Sequence, residues 1–174
     1  MSPGCLEQGG VSLAVRRCMT SLSTMEDEAR SRLQRRADTL ARLENDADIW
    51  VATAAGGRPH LVPLSFAWDG VRIILATPSN SPTARYASRS GLVRLALGTA
   101  RDVTVFDATT TVVPCREAGG EVAEAYLLRV GWDPRDEELE HSFLIASPTT
   151  ARTWRNVPEL EERTIMRDGR WLEQ

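Results

Sequence analysis

The stretch from Ile49 to Thr77 constrains the fold more than any other part of the chain. Between His60 and Trp68 the residues alternate: His60, Val62, Leu64, Phe66 and Trp68 share one face, and Leu61, Pro63, Ser65 and Ala67 share the other. That is the two-residue period of a strand. Upstream, Ile49 to Ala54 is rich in strand formers and ends at Gly56-Gly57-Arg58-Pro59, which favours a turn. Downstream, Asp69-Gly70 offers the positive φ angles of a tight hairpin and feeds the apolar run Val71 to Thr77. Three antiparallel strands in sequence order are therefore predicted.

Further along, Leu92 to Gly98, Asp102 to Pro114, Ser142 to Ala146, Thr150 to Arg155 and Arg163 to Arg167 read as strands, and Asp168-Gly169 turns the chain into Arg170-Trp171-Leu172. The predicted fold class is mainly β: a closed or nearly closed barrel of about six to seven antiparallel strands with a few peripheral helices. Ala29, Leu33, Ala37, Leu40 and Leu43 recur at helical spacing between Met25 and about Ala47, with Ser23 and Glu26 placed as a capping box. A short helix is predicted between Ser81 as N-cap, with Pro82 at its first position, and Gly91 as its stop. Another runs from about Glu121 to Val130, with Val122, Ala123, Tyr126, Leu127 and Val130 on one side. Residues 1–24, rich in Gly and Ser, read as a flexible leader, and residues 25–174 as a single domain.

Composition removes several function classes. A net charge of −3 without a basic block argues against nucleic acid. No stretch approaches the roughly 18 apolar residues of a membrane span, and Met1 to Gly10 lacks a secretory pattern, so a cytoplasmic location is expected. Cys5, Cys18 and Cys115 form no C-x-x-C pair, and the two histidines, His60 and His141, stand far apart, so no metal site is expected. No G-x-S-x-G elbow occurs. All 21 Lys-plus-Arg residues are arginine, which leaves no amine for a Schiff base and reserves phosphate binding for arginine, hydroxyls and backbone.

Chemistry is concentrated in Thr77-Pro78-Ser79-Asn80-Ser81-Pro82-Thr83-Ala84-Arg85. A strand end running into a helix N-terminus points N–H groups and the positive end of the helix dipole outward, which attracts an anion. Ser79, Ser81 and Thr83 add hydroxyls, and Arg85 adds a guanidinium able to grip phosphate bidentately. The same residues also suit an ordinary capped helix with a solvated arginine. The small face Leu61-Pro63-Ser65-Ala67 offers a flat wall for an aromatic ring system, or simply a half-buried strand with a proline at its edge.

Taken in order, Asp48 to Ala54, Pro59 to Gly70, Ala76-Thr77 through Ser81-Pro82-Thr83-Ala84-Arg85, Val93 to Gly98 and Arg101-Asp102-Val103 resemble the flavin split β-barrel family of pyridoxamine 5′-phosphate oxidase-like and deazaflavin-dependent reductase-like proteins, over residues 46–172. The resemblance implies a homodimer with cofactor clefts between subunits. It implies that Val62, Pro63, Leu64 and Ser65 lie beside the ring, Thr77 and Ser79 near the ribityl chain, and Ser81, Thr83 and Arg85 at the phosphate, with Trp154 or Trp171 closing the cleft from the partner. The implied cofactor is FMN, with coenzyme F420 as the alternative. The implied activity is hydride or electron transfer to or from a small organic substrate, with no side chain singled out as catalytic. In many relatives lysine stands at Thr83 and asparagine at Tyr86. The ending Arg170-Trp171-Leu172-Glu173-Gln174 departs from the substrate-binding motif of true pyridoxamine phosphate oxidases, so vitamin B6 oxidation is not expected. The alternative function is a non-catalytic carrier or sensor of flavin, F420 or haem on the same fold.

Overall fold

A computed structural model describes residues 28–173. The leader over residues 1–24 and the Ser23–Glu26 capping box lie outside the described residues. Helix α1 (Arg32–Asn45) begins later than the sequence pattern predicts, because a different box caps it: the Ser31 hydroxyl accepts from Gln34 N–H, and the Gln34 side chain accepts from Ser31 N–H. Eight strands follow: β1 (Asp48–Ala55), β2 (Arg58–Trp68), β3 (Ile73–Pro78), β4 (Leu92–Thr99), β5 (Asp102–Pro114), β6 (His141–Trp154), β7 (Thr164–Arg167) and β8 (Arg170–Trp171). Helix α2 (Pro82–Ser90) lies between β3 and β4, and α3 (Gly120–Val130) between β5 and β6. Among the described residues no helix is long and apolar enough to cross a membrane.

All strand pairs are antiparallel, in the order β3-β2-β1-β4-β5-β6-β7-β8, and β3 also pairs with β6, which closes the first six into a barrel. Two details differ from the sequence pattern. The β2–β3 connection is a four-residue loop rather than a two-residue turn, because the Asp69 carboxylate accepts from the N–H groups of both Val71 and Arg72 and holds them out of the ladder. The expected strands Ser142 to Ala146 and Thr150 to Arg155 are one strand, β6, with a bulge where Asp107 pairs with Thr150 but the adjacent Ala108 pairs with Pro148. The bulge absorbs the residue between Pro148 and Thr150 and lets the long strand bend around the barrel.

Packing explains the periodicities. Phe66, Ile73, Leu75, Leu95, Leu97, Phe106, Leu144 and Ala151 fill the barrel interior. A second cluster lies outside it, where Val122, Ala123 and Tyr126 of α3 cover Ala67, Ile74, Ala76 and Phe143. Strand β3 is thus buried on both faces, which is why its sequence is a continuous apolar run rather than an alternating one.

The barrel's other end is fastened by charge. Arg30 pairs with Glu159, Asp102 and Asp38, and Arg42 pairs with Asp102. Glu159 is 0% exposed. Burial alone would raise its carboxyl, but hydrogen bonds from the Arg30 side chain and from the backbone N–H groups of Arg30 and Arg155 override that and hold it at about 2.

Candidate functional site

The corner between β3 and α2 follows from local chemistry. Pro78 ends β3, and Ser81 caps α2 by accepting from Ala84 N–H at 3.1 Å while also receiving the Thr77 hydroxyl at 3.1 Å. Ser79 is tied to β6 through its N–H to the Glu140 carbonyl and through a 2.7 Å hydroxyl contact with Ser142. Thr77 and Ser81 are therefore joined to each other, and Ser79 to Ser142 of β6.

Thr83 and Arg85 are not on the same side. Two residues along an α-helix turn roughly 200°. Thr83 faces inward, is 2% exposed, and has its hydroxyl 2.9 Å from His60 Nε2 on β2. Arg85 faces outward and donates to the Asn80 carbonyl. On the Arg85 flank a cleft of about 290 Å³ is lined by Ser79, Arg85, Ser88, Arg89, Val112 and Ser142. Its two guanidiniums belong to residues one helical turn apart, and neither is paired with a carboxylate among the described residues, whereas Arg30, Arg42, Arg94, Arg135 and Arg152 are. Like charges at this spacing repel, and an anion between them relieves the repulsion. Arg89 was legible in the sequence as the residue four beyond Arg85. Ser142 was not, because it arrives through the β3–β6 closure, paired with Thr77.

The β2 wall divides by strand parity. Val62 and Leu64 turn toward the barrel interior, with Leu64 packed on the core, while Pro63 and Ser65 turn outward. The Ser65 hydroxyl donates to Asp48 at 2.7 Å, and Ala67 lies under α3, so the outward wall is open chiefly at Leu61 and Pro63. Pro63 borders a cleft of about 260 Å³ with Asp48, Trp50, Ala96 and Gly98. Trp154 pairs with Val103 on β5, at the end of β6 remote from the His141–Ala146 segment that pairs with β3. The Arg163 guanidinium sits 5.5 Å from its ring centroid. The outer face of the barrel is apolar and open: Trp50 is 47%, Leu61 58% and Leu92 59% exposed.

Other reactive groups are accounted for structurally. Burial, with a contribution from Asp133, pushes the Cys115 thiol up to about 12, so it stays protonated. Asp107 would be raised by burial, yet Arg94, Thr150 and Arg152 keep it below the usual carboxylate range. Among the described residues no cluster of His, Cys, Asp and Glu is arranged to hold a metal ion.

No protein-family model and no curated protein matches the chain. Solved structures do. A pyridoxamine 5′-phosphate oxidase-like protein from Listeria innocua is similar at 15% identity and a TM-score of 0.57, over 69% of this chain and 98% of that one. An F420 reductase is similar at 17% identity and a TM-score of 0.53, over 64% and 93%. A FAD-binding protein from Mesorhizobium loti is similar at 14% identity and a TM-score of 0.54, over 66% and 88%. At these identities the likeness establishes architecture: the chain folds as a split β-barrel of the pyridoxamine 5′-phosphate oxidase-like kind.

Proposed function

We propose that the protein binds a phosphate-bearing flavin-type cofactor, FMN in the first place and F420 as the rival, and works as an oxidoreductase on a small organic substrate. The observation that carries this is the cleft beside the first turn of α2, where the carboxylate-free Arg85 and Arg89 meet the hydroxyls of Ser79, Ser88 and Ser142. That donor set contains two cations and no acid, which suits a phosphate. Ser81 and Thr77 shape the corner. The backbone of Val62, Pro63, Leu64 and Ser65 is the nearest candidate support for the ring. Thr83 contributes by fixing α2 to β2 through His60. When bound, the cofactor supplies the hydride or electron chemistry, and these residues supply position, electrostatics and exclusion of water.

The apolar outer face around Trp50, Leu61 and Leu92 supports association with a second copy, since a monomer rarely leaves such a face open. In such a homodimer, Trp154 of the partner subunit closes the cleft over the β2 wall. A cytoplasmic setting, where Cys115 stays a free thiol, completes the proposal.

The test is to titrate the purified protein with FMN and with F420, following cofactor fluorescence, and then to assay turnover with nicotinamide donors, oxygen and reduced deazaflavin. Saturable binding with turnover supports the enzyme. Binding without turnover in any donor–acceptor pair makes the protein a carrier, and failure to bind either cofactor removes the proposal.

A further inference from the structure

The outer face of β1 and β4 carries opposite charges at its two ends, and neither end is balanced. Strand parity turns Ile49 and Val51 of β1 and Val93 and Leu95 of β4 inward, which leaves Asp48, Trp50 and Ala52 of β1 and Arg94 and Ala96 of β4 outside. The two strands pair only at Trp50–Ala96, Val51–Leu95 and Ala52–Arg94. Arg94 therefore lies beside Ala52, while Asp48 stands four residues back along β1, about 13 Å from Ala52.

Asp48 is exposed, accepts from the Ser65 hydroxyl, and pairs with no arginine among the described residues. The Arg94 side chain is 60% exposed and gives its Nε to Asp107. Arg152 and the Thr150 hydroxyl occupy the other Asp107 oxygen, so one carboxylate serves two guanidiniums. Among the described residues, the terminal nitrogens of Arg94 have no acceptor. A spare acid thus stands on one side of Trp50 and a spare positive charge on the other, too far apart to neutralise each other within one chain.

Shape follows the same division. Trp50, 47% exposed, stands between two hollows: one of about 260 Å³ bordered by Asp48, and one of about 550 Å³ bordered by Arg94, where β1 and β4 part beyond Ala52. Opposite charges on either side of a projecting apolar side chain make the face complementary to itself. A twofold rotation lays the acid of one copy on the base of the other, and the match is made twice. Both halves of the match are on one chain, which favours a second copy over any other protein as the occupant.

We infer that two copies pair through the outer face of β1 and β4 about a twofold axis that passes at the Trp50–Ala96 pair, so that Asp48 of each chain meets the partner's Arg94. This pairing rests on the homodimer proposed above and adds the residues that set its register. Charge pairs at an apolar contact fix register more than affinity, whereas like charges in the same places repel.

The test is sedimentation of the full-length protein at fixed low ionic strength, where such pairs are least screened. The parent is expected to be a dimer. Asp48→Arg and Arg94→Asp each set like charges opposite each other at two points, and each is expected to raise the dimer dissociation constant at least about tenfold. An equimolar mixture of the two variants is expected to dimerise again to within about threefold of the parent, because in the mixed dimer both contacts join a cation to a carboxylate. Recovery on mixing also shows that both variant chains are folded. Unchanged association in either variant, or no recovery on mixing, overturns the pairing while a dimeric parent keeps the homodimer. A monomeric parent removes both.

Discussion

The hydroxyl of Thr83 lies 2.9 Å from Nε2 of His60, and this contact pins α2 to β2 with Thr83 turned away from the cleft that holds Arg85. The pair separates two jobs that the sequence runs together: one flank of α2 fastens the helix, and the other is free to meet a ligand. Thr83→Val therefore ought to destabilise the fold by about 1–3 kcal/mol, since it strands a part-buried imidazole, while weakening cofactor affinity less than Arg85→Ala does. Denaturant unfolding beside a cofactor titration checks both halves.

Arg85→Ala and Arg89→Ala act on the other flank. Each is expected to weaken cofactor binding by about 1.5–3 kcal/mol, the range for a hydrogen bond to a charged group, with little effect on unfolding because both side chains are exposed. The dissociation constant of each variant, measured at fixed ionic strength, is the check.

Acid should loosen the barrel's far end. The carboxyl of Glu159 is held at about 2 in the folded protein, against roughly 4.3 for an unperturbed glutamate. A depressed carboxyl stabilises the fold fully above its unfolded value, and that contribution is lost as pH falls from there toward 2. Thermal unfolding followed from pH 6 to pH 2 should show the loss. Glu159→Gln should flatten that part of the profile and cost about 1.5–3 kcal/mol at neutral pH, because Arg30 loses one of its three carboxylate partners while keeping Asp102 and Asp38.

Gly98→Ala tests the same region by shape. Gly98 has φ +93, and a Cβ there would stand 1.9 Å from the Arg42 side chain and 2.4 Å from the Asp102 carbonyl oxygen. The flexible arginine can retreat, but the backbone carbonyl cannot, and leaving breaks the Arg42–Asp102 pair. A lowered melting temperature is expected, measured by calorimetry.

A charge on the open face should separate subunits. Trp50→Glu and Leu61→Glu alter side chains about half exposed in the single chain, so the core is untouched. Light scattering is expected to show a dimer for the parent and a monomer for the double variant, with unchanged far-ultraviolet circular dichroism.

Local chemistry alone determined much of this protein. The alternation from His60 to Trp68, the Ser81-Pro82 start and Gly91 stop of α2, the span of β5 and the α3 face around Tyr126 were all legible, because each depends on neighbours within a few residues. The start of α1 was placed too early because helical spacing runs back through Ala29, whereas the Ser31–Gln34 box begins the helix at Arg32, and β6 was read as two strands because a bulge at Thr149 resembles a break. Tertiary structure alone decided which residues meet. Closure of β3 onto β6 brings Ser142 to Ser79, the turn of α2 divides Thr83 from Arg85, and the early end of the β1–β4 ladder opens a pocket that no motif marks. Periodicity fixes the direction in which a side chain leaves its own element, but contacts between distant elements depend on how the sheet curls and closes.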